Sequence, residues 1–214
     1  MENSEKLLEL ALEAMREAGI TQNNWAVGGG TVLSHYFHHR YSKDIDVFIS
    51  DVQLLSYLSP KVNDFTDSAL DYDEETTFLS LTFEEGKIDF ITARHLTPYD
   101  NHKELFFGKY VYLEDPVEIV TKKMFYRGKD ILPRDIFDLA TVYRSNRRKD
   151  LLQAFHLYPE KWKEFEQAFS VRKEKLSNQT YGSLFPENIM DGGKSINGHE
   201  VNIVEELCHD ILTE

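Results

Sequence analysis

The chain has 214 residues, enough for one large domain or two small ones with a real core. A 41% hydrophobic content with 14 Phe and 11 Tyr excludes a disordered chain, and no apolar run approaches the roughly 18 residues that span a membrane. A net charge of −13 excludes non-specific nucleic-acid binding by the whole surface. The single Cys208 excludes an intrachain disulfide framework. With a first segment, MENSEKLLELALEAMREAGI, that carries no basic-plus-apolar leader, it points to a cytoplasmic protein.

Taken in order, Leu7, Leu8, Ala11, Leu12 and Met15 repeat at helical spacing and predict an amphipathic helix over 4–18, ending near Gly19. Trp25-Ala26-Val27 reads as a short strand entering the turn Gly28-Gly29-Gly30-Thr31. Val32, Leu33, Tyr36 and Phe37 form the buried face of a following helix. DIDVFI (44–49) reads as a strand, 52–58 as helical, and the acidic stretch 60–77 as helix or loop. FLSLTF (78–83) and KIDFI (87–91) flank Glu84-Glu85-Gly86, a hairpin signal, and 104–113 reads as further strand. From Pro116 the pattern is helical through 176, 177–198 reads as a loop, and 199–213 as a last helix. The expected class is α+β: a core over 1–114, a mixed sheet flanked by helices, and an all-α domain over 115–214.

The residues that suggest chemistry lie mainly in 28–49. Asp44 and Asp46 are separated by one residue in a strand-like run, so their carboxylates share a face while Ile45 and Val47 point into a core. Two acids on one face repel, and a divalent cation resolves that repulsion. A glycine turn at a helix N-terminus is a natural seat for phosphate. The turn lacks the Gly-Lys-Ser/Thr ending of a P-loop and the G-x-G-x-x-G of a dinucleotide fold. Asp89, in KIDFI, is the candidate third acid, able to complete a two-metal site or to accept a hydroxyl proton. His35 and His39 are spaced i, i+4 as zinc ligands would be, but Tyr36 stands where a zinc protease carries Glu, which favours surface or RNA-facing histidines. Residues 121–149 carry nine basic side chains against three acids, +6 within an acidic chain, where an anionic substrate could be held.

These residues resemble the signature of the DNA polymerase β-type nucleotidyltransferase superfamily: Gly29-Gly30, a helix, Asp44-Ile45-Asp46 on a strand and Asp89 on a later strand. EIVTKKMFYRG followed by PRDIFDLATV, together with the GGGT opening, resembles the AbiEii/AbiGii (MenT-like) nucleotidyltransferase toxin family over roughly residues 24–145. The resemblance implies Asp44, Asp46 and Asp89 as metal-binding and catalytic acids, and Gly29, Gly30 and Thr31 as phosphate-binding groups. It implies Lys123 and Arg134 against the triphosphate and Asp138 as the acid of the last motif. Mg²⁺ is the implied metal, with Mn²⁺ as the alternative. The implied reaction moves an NMP from an NTP to an acceptor, with an RNA such as a tRNA 3′ end favoured, and releases pyrophosphate. The implied setting is a type IV toxin–antitoxin or abortive-infection system with a cognate antitoxin and no membrane association. The competing readings are a small-molecule (antibiotic) nucleotidyltransferase and a non-catalytic NTP-binding module.

Overall fold

A computed structural model describes residues 2–213. The chain divides into two compact units. The first takes the residues up to His35, Ser42–His95 and Asn101–Asp115; the second takes Tyr36–Tyr41, Leu96–Asp100 and the chain from Pro116 on.

The first unit carries the sheet. Helix α1 (Glu2–Glu17) buries Leu7, Leu8, Ala11 and Met15 of the expected stripe and Ala14 beside them, while Leu12 is half-buried. Strand β1 (Trp25–Gly28) runs directly into helix α2 (Gly29–Phe37), and β2 (Ile45–Ile49) follows. Next come β3 (Asp71–Glu74), β4 (Phe78–Phe83), β5 (Gly86–Thr92), β6 (His102–Phe106) and β7 (Lys109–Leu113). They form one mixed sheet in the order β3-β4-β5-β2-β1-β7-β6, with β2/β5 and β1/β7 parallel. Ile45, Val47 and Ile49 of β2 and Ile88 and Phe90 of β5 are buried on one side, and α1 packs against these two strands. Each such side chain removed from water is worth roughly 1.5–3 kcal/mol. The alternate residues, Asp46 and Asp89 among them, therefore take the opposite face.

Three departures from expectation in this part of the chain have local causes. The stretch read as helix or loop contains β3, whose residues DYDE are all exposed. That strand is made by backbone pairing with β4, not by burial, so it leaves no apolar alternation to read. The further strand expected over 104–113 is folded into a hairpin, because Phe107 and Gly108 both adopt left-handed backbone (φ 45° and 75°). The segment 52–58 is helical as expected, a 3₁₀ stretch capped by Asp51, whose carboxylate accepts from Gln53 N at 2.9 Å. Helix α2 ends at Phe37 and His38 is left-handed (φ 48°), so His35 and His39 do not share a helix face.

The second unit is helical: α3 (Pro116–Arg127), α4 (Pro133–Arg144), α5 (Arg148–His156), α6 (Pro159–Asn178), the short α7 (Tyr181–Leu184) and α8 (Glu200–Thr213). Its core includes an aromatic run, Phe155, Trp162, Phe165 and Phe169, with successive ring centroids 5.4, 5.2 and 5.9 Å apart. The region expected as loop over 177–198 holds α7 and 3₁₀ turns, and Ile189 forms a backbone bridge with Arg40. The α+β class with a helical C-terminal region is as expected. Among the described residues no helix is long and apolar enough to cross a membrane.

Candidate active site

The glycine turn is shaped by what lies against it. A Cβ on Gly28 would sit 2.4 Å from Glu114 Oε2 and 2.7 Å from the Phe48 ring. Gly29 has φ +71°, and a Cβ there would lie 1.7 Å from Asp46 Oδ2. Only glycine serves at that position, and the Asp46 carboxylate rests directly against the turn. The turn opens α2, a nine-residue helix.

Sheet register gathers the acids. Asp46 of β2 is the register partner of Gly28 on β1 and of Asp89 on β5, and Asp89 is that of Ser80 on β4. Register partners share a face, so glycine turn, two carboxylates and a hydroxyl lie level across four adjacent strands. Asp44 lies one residue before β2 and is fixed twice. Its carbonyl accepts from Thr31 Oγ1 at 2.5 Å, and its Oδ1 accepts from Lys87 N at 3.1 Å. Asp89 Oδ1 accepts from Ser80 Oγ at 2.5 Å. Asp44, Asp46 and Asp89 are all half-buried. Thr31 is 2% exposed, and its hydroxyl ties α2 to the segment carrying Asp44.

All three acids offer hard oxygen donors, the chemistry Mg²⁺ and Mn²⁺ prefer. Among the described residues no group of three or more His, Cys, Asp and Glu side chains forms a metal cage. An open pair of carboxylates is the usual protein share of a Mg²⁺ site, where substrate phosphates and water supply the rest.

The helical unit holds a second acidic cluster of opposite character. Asp138 is fully buried. Its Oδ1 accepts from Arg40 Nε at 2.6 Å and lies 2.8 Å from His39 Nε2; its Oδ2 accepts from Arg40 Nη2 at 2.9 Å and from Lys123 Nζ at 2.9 Å. Asp135 is 1% exposed and takes Lys123 Nζ at 2.7 Å, Arg127 Nη2 at 2.8 Å and Leu132 N at 3.3 Å. Burial alone would raise both carboxyls. The cations overturn it: Arg40 and Lys123 hold Asp138 well below the usual carboxylate range, and Lys123 and Arg127 lower Asp135. Burial pushes His39 below its ordinary value against the pull of Asp138. Lys122 turns instead to Glu118, 3.3 Å away, and Arg134 is exposed.

Sequence reasoning named Asp138 and Lys123 but missed Arg40 as the second counter-charge of Asp138. The available signal was that a DxxD pair on an otherwise apolar helix face requires more than one buried cation. It also missed Glu118, which is 0% exposed and accepts from Leu96 N at 2.9 Å, Thr97 N at 2.8 Å and Thr97 Oγ1 at 2.8 Å. An acid in the first turn of a helix gave no sign of that role.

The family described as "Nucleotidyl transferase AbiEii toxin, Type IV TA system" matches residues 11–188. No curated protein matches. Among solved structures, a candidate nucleotidyltransferase from H. pylori is similar at 16% identity, over 99% of this chain and 95% of that one, with a TM-score of 0.46.

Proposed function

The chain belongs to the AbiEii family of nucleotidyl transferase toxins, and from that premise we propose that it is a Mg²⁺-dependent enzyme moving an NMP from an NTP to an RNA acceptor, a tRNA 3′ end being favoured. The observation that carries the reading is the register of Asp46 and Asp89 on adjacent parallel strands, level with the glycine turn.

Asp44, Asp46 and Asp89 would hold the metal, with Mn²⁺ as the alternative ion. When bound, it supplies charge neutralisation on the triphosphate and a lower pKa for the attacking hydroxyl. The Gly28–Gly30 backbone lets phosphate approach the N-terminus of α2, where amide groups and helix dipole favour anions. Thr31, in this reading, holds Asp44 in place from behind. Asp89, whose Oδ1 takes the Ser80 hydroxyl, has Oδ2 to accept the proton of the attacking hydroxyl.

The setting proposed is a cytoplasmic toxin acting in phage defence and restrained by a cognate antitoxin. The test incubates the protein with labelled NTPs and total RNA, beside Asp44→Ala/Asp46→Ala. Labelling that depends on both acids supports the reading, and equal labelling by both proteins overturns it. Label on an aminoglycoside but never on RNA replaces it with the small-molecule reading. NTP binding without pyrophosphate release under any acceptor replaces it with a non-catalytic one.

A further inference from the structure

We propose that Asp138 is a positioning residue: it fixes Tyr36–Tyr41, the link between the glycine-turn helix and the Asp44-Ile45-Asp46 strand, into the helical unit, and it does not touch substrate. The inference rests on the nucleotidyl-transfer reading for its consequence but not for its geometry.

The link is short and carries weight at both ends. It contains the last residues of α2, whose first is Gly29, and it stops three residues before Asp44. The fork of Arg40 closes on both oxygens of Asp138, and His39 adds a further contact. The His39 ring stacks on Phe137, one residue before Asp138, at 5.8 Å and 14°. Arg40 also lies over the Tyr181 ring at 5.4 Å. The backbone is tied as firmly. Tyr41 N donates to Asn188 O at 2.7 Å, Met190 N to His39 O at 3.1 Å, and Gly192 N to His38 O at 2.9 Å. Glycine is required on the facing side, because a Cβ on Gly192 or Gly193 would lie 2.0 Å from the carbonyl of Phe37 or His39 respectively.

A group that exchanges protons with substrate needs access and a spare lone pair. Asp138 is fully buried, and each of its oxygens has two partners. A bidentate Arg–carboxylate pair away from water is among the most geometrically specific contacts a side chain makes. It suits a register pin better than a general base. Glu118 is the internal control. It pins the other crossing, Leu96–Asp100, through Leu96 and Thr97, and no candidate site residue follows that segment closely.

The experiment measures amide exchange over 36–46 and transfer kinetics in Asp138→Asn, Arg40→Gln and the double variant, below their melting points. Protection over 36–46 should fall about tenfold or more in each single variant, with the double no worse than about twofold beyond either. Glu118→Gln should loosen 95–98 and leave 36–46 as in the parent. The labelling rate at saturating NTP should fall alike in Asp138→Asn and Arg40→Gln, with KM for the NTP and the shape of the pH profile unchanged. If either glutamine or asparagine variant does not fold, Arg40→Lys, which keeps the buried charge and loses the fork, should show the same pattern at smaller size. Unchanged exchange in these variants overturns the inference. So does loss of transfer in Asp138→Asn with full transfer in Arg40→Gln and Arg40→Lys. Loosened exchange in a protein whose parent form transfers no nucleotide upholds the pin and overturns the transfer reading alone.

Discussion

Two groups of aspartates divide the chemistry of this molecule. In the sheet, Asp44, Asp46 and Asp89 are half-buried, and the carboxylates of Asp44 and Asp89 each accept one hydrogen bond, from a backbone amide and a hydroxyl. In the helices, Asp135 and Asp138 are buried and each is neutralised by two cations, with Lys123 shared between them. Acids whose charge is already matched inside the protein are matched for folding. The sheet acids stand in register with one another and with the glycine turn, an arrangement that in the proposed function takes a cation from outside. The difference predicts that the two groups fail differently when mutated.

The largest effects should separate them outright. Asp46→Asn should cut nucleotide transfer about a hundredfold to a thousandfold, the usual size for losing one electrostatic contact that stabilises a transition state, here through the metal it would hold, with little change in melting temperature. Asp138→Ala should instead destabilise by about 3–5 kcal/mol, because it strands Arg40 and Lys123 in the interior. Denaturant melts beside the labelling assay check both, and a stable, inactive Asp138→Ala would break the comparison.

Gly29→Ala should sit between the two groups. A left-handed non-glycine residue costs about 1–3 kcal/mol, and the new methyl must displace the Asp46 carboxylate, so stability and transfer fall together.

A smaller effect should appear in acid titration. His39 is held below 6.5 by burial, so the unfolded chain binds its proton first, and stability falls as pH drops below 6.5. The lowered pKa values of Asp135 and Asp138 give stability that is present above about 3.8 and is lost as pH falls below it. His39→Gln should flatten the first limb and Asp138→Asn the second. The smallest change, Thr31→Val, removes the hydroxyl that donates to the Asp44 carbonyl and lies 3.1 Å from Ser42 Oγ, and should cost about 1 kcal/mol, read as a shift in denaturant midpoint.

The legible parts of the sequence were those in which pattern follows burial. The α1 stripe, the alternation in IDVFI and KIDFI, and the glycine turn at fixed spacing from Asp44 all write their role into residue type. So the sheet face carrying Asp46 and Asp89 could be anticipated. Strand β3 could not, since DYDE pairs through its backbone and buries nothing. The partners of the RDxxD motif were hidden for another reason. Arg40 lies 98 residues from Asp138, in a histidine-rich stretch that invited a metal reading, and no local rule links a buried acid to so distant a cation. The left-handed His38 ends α2 before His39, which sends that ring into the helical core.

The central claim is that the sheet carboxylates serve transfer of an NMP. The direct measurement uses parallel reactions with α-labelled and γ-labelled NTP, total RNA and Mg²⁺, with Asp46→Asn as the control. α-Label should appear on RNA and γ-label in pyrophosphate, and neither with the variant. Label from the γ-position on the acceptor, or equal α-labelling by Asp46→Asn, would contradict it.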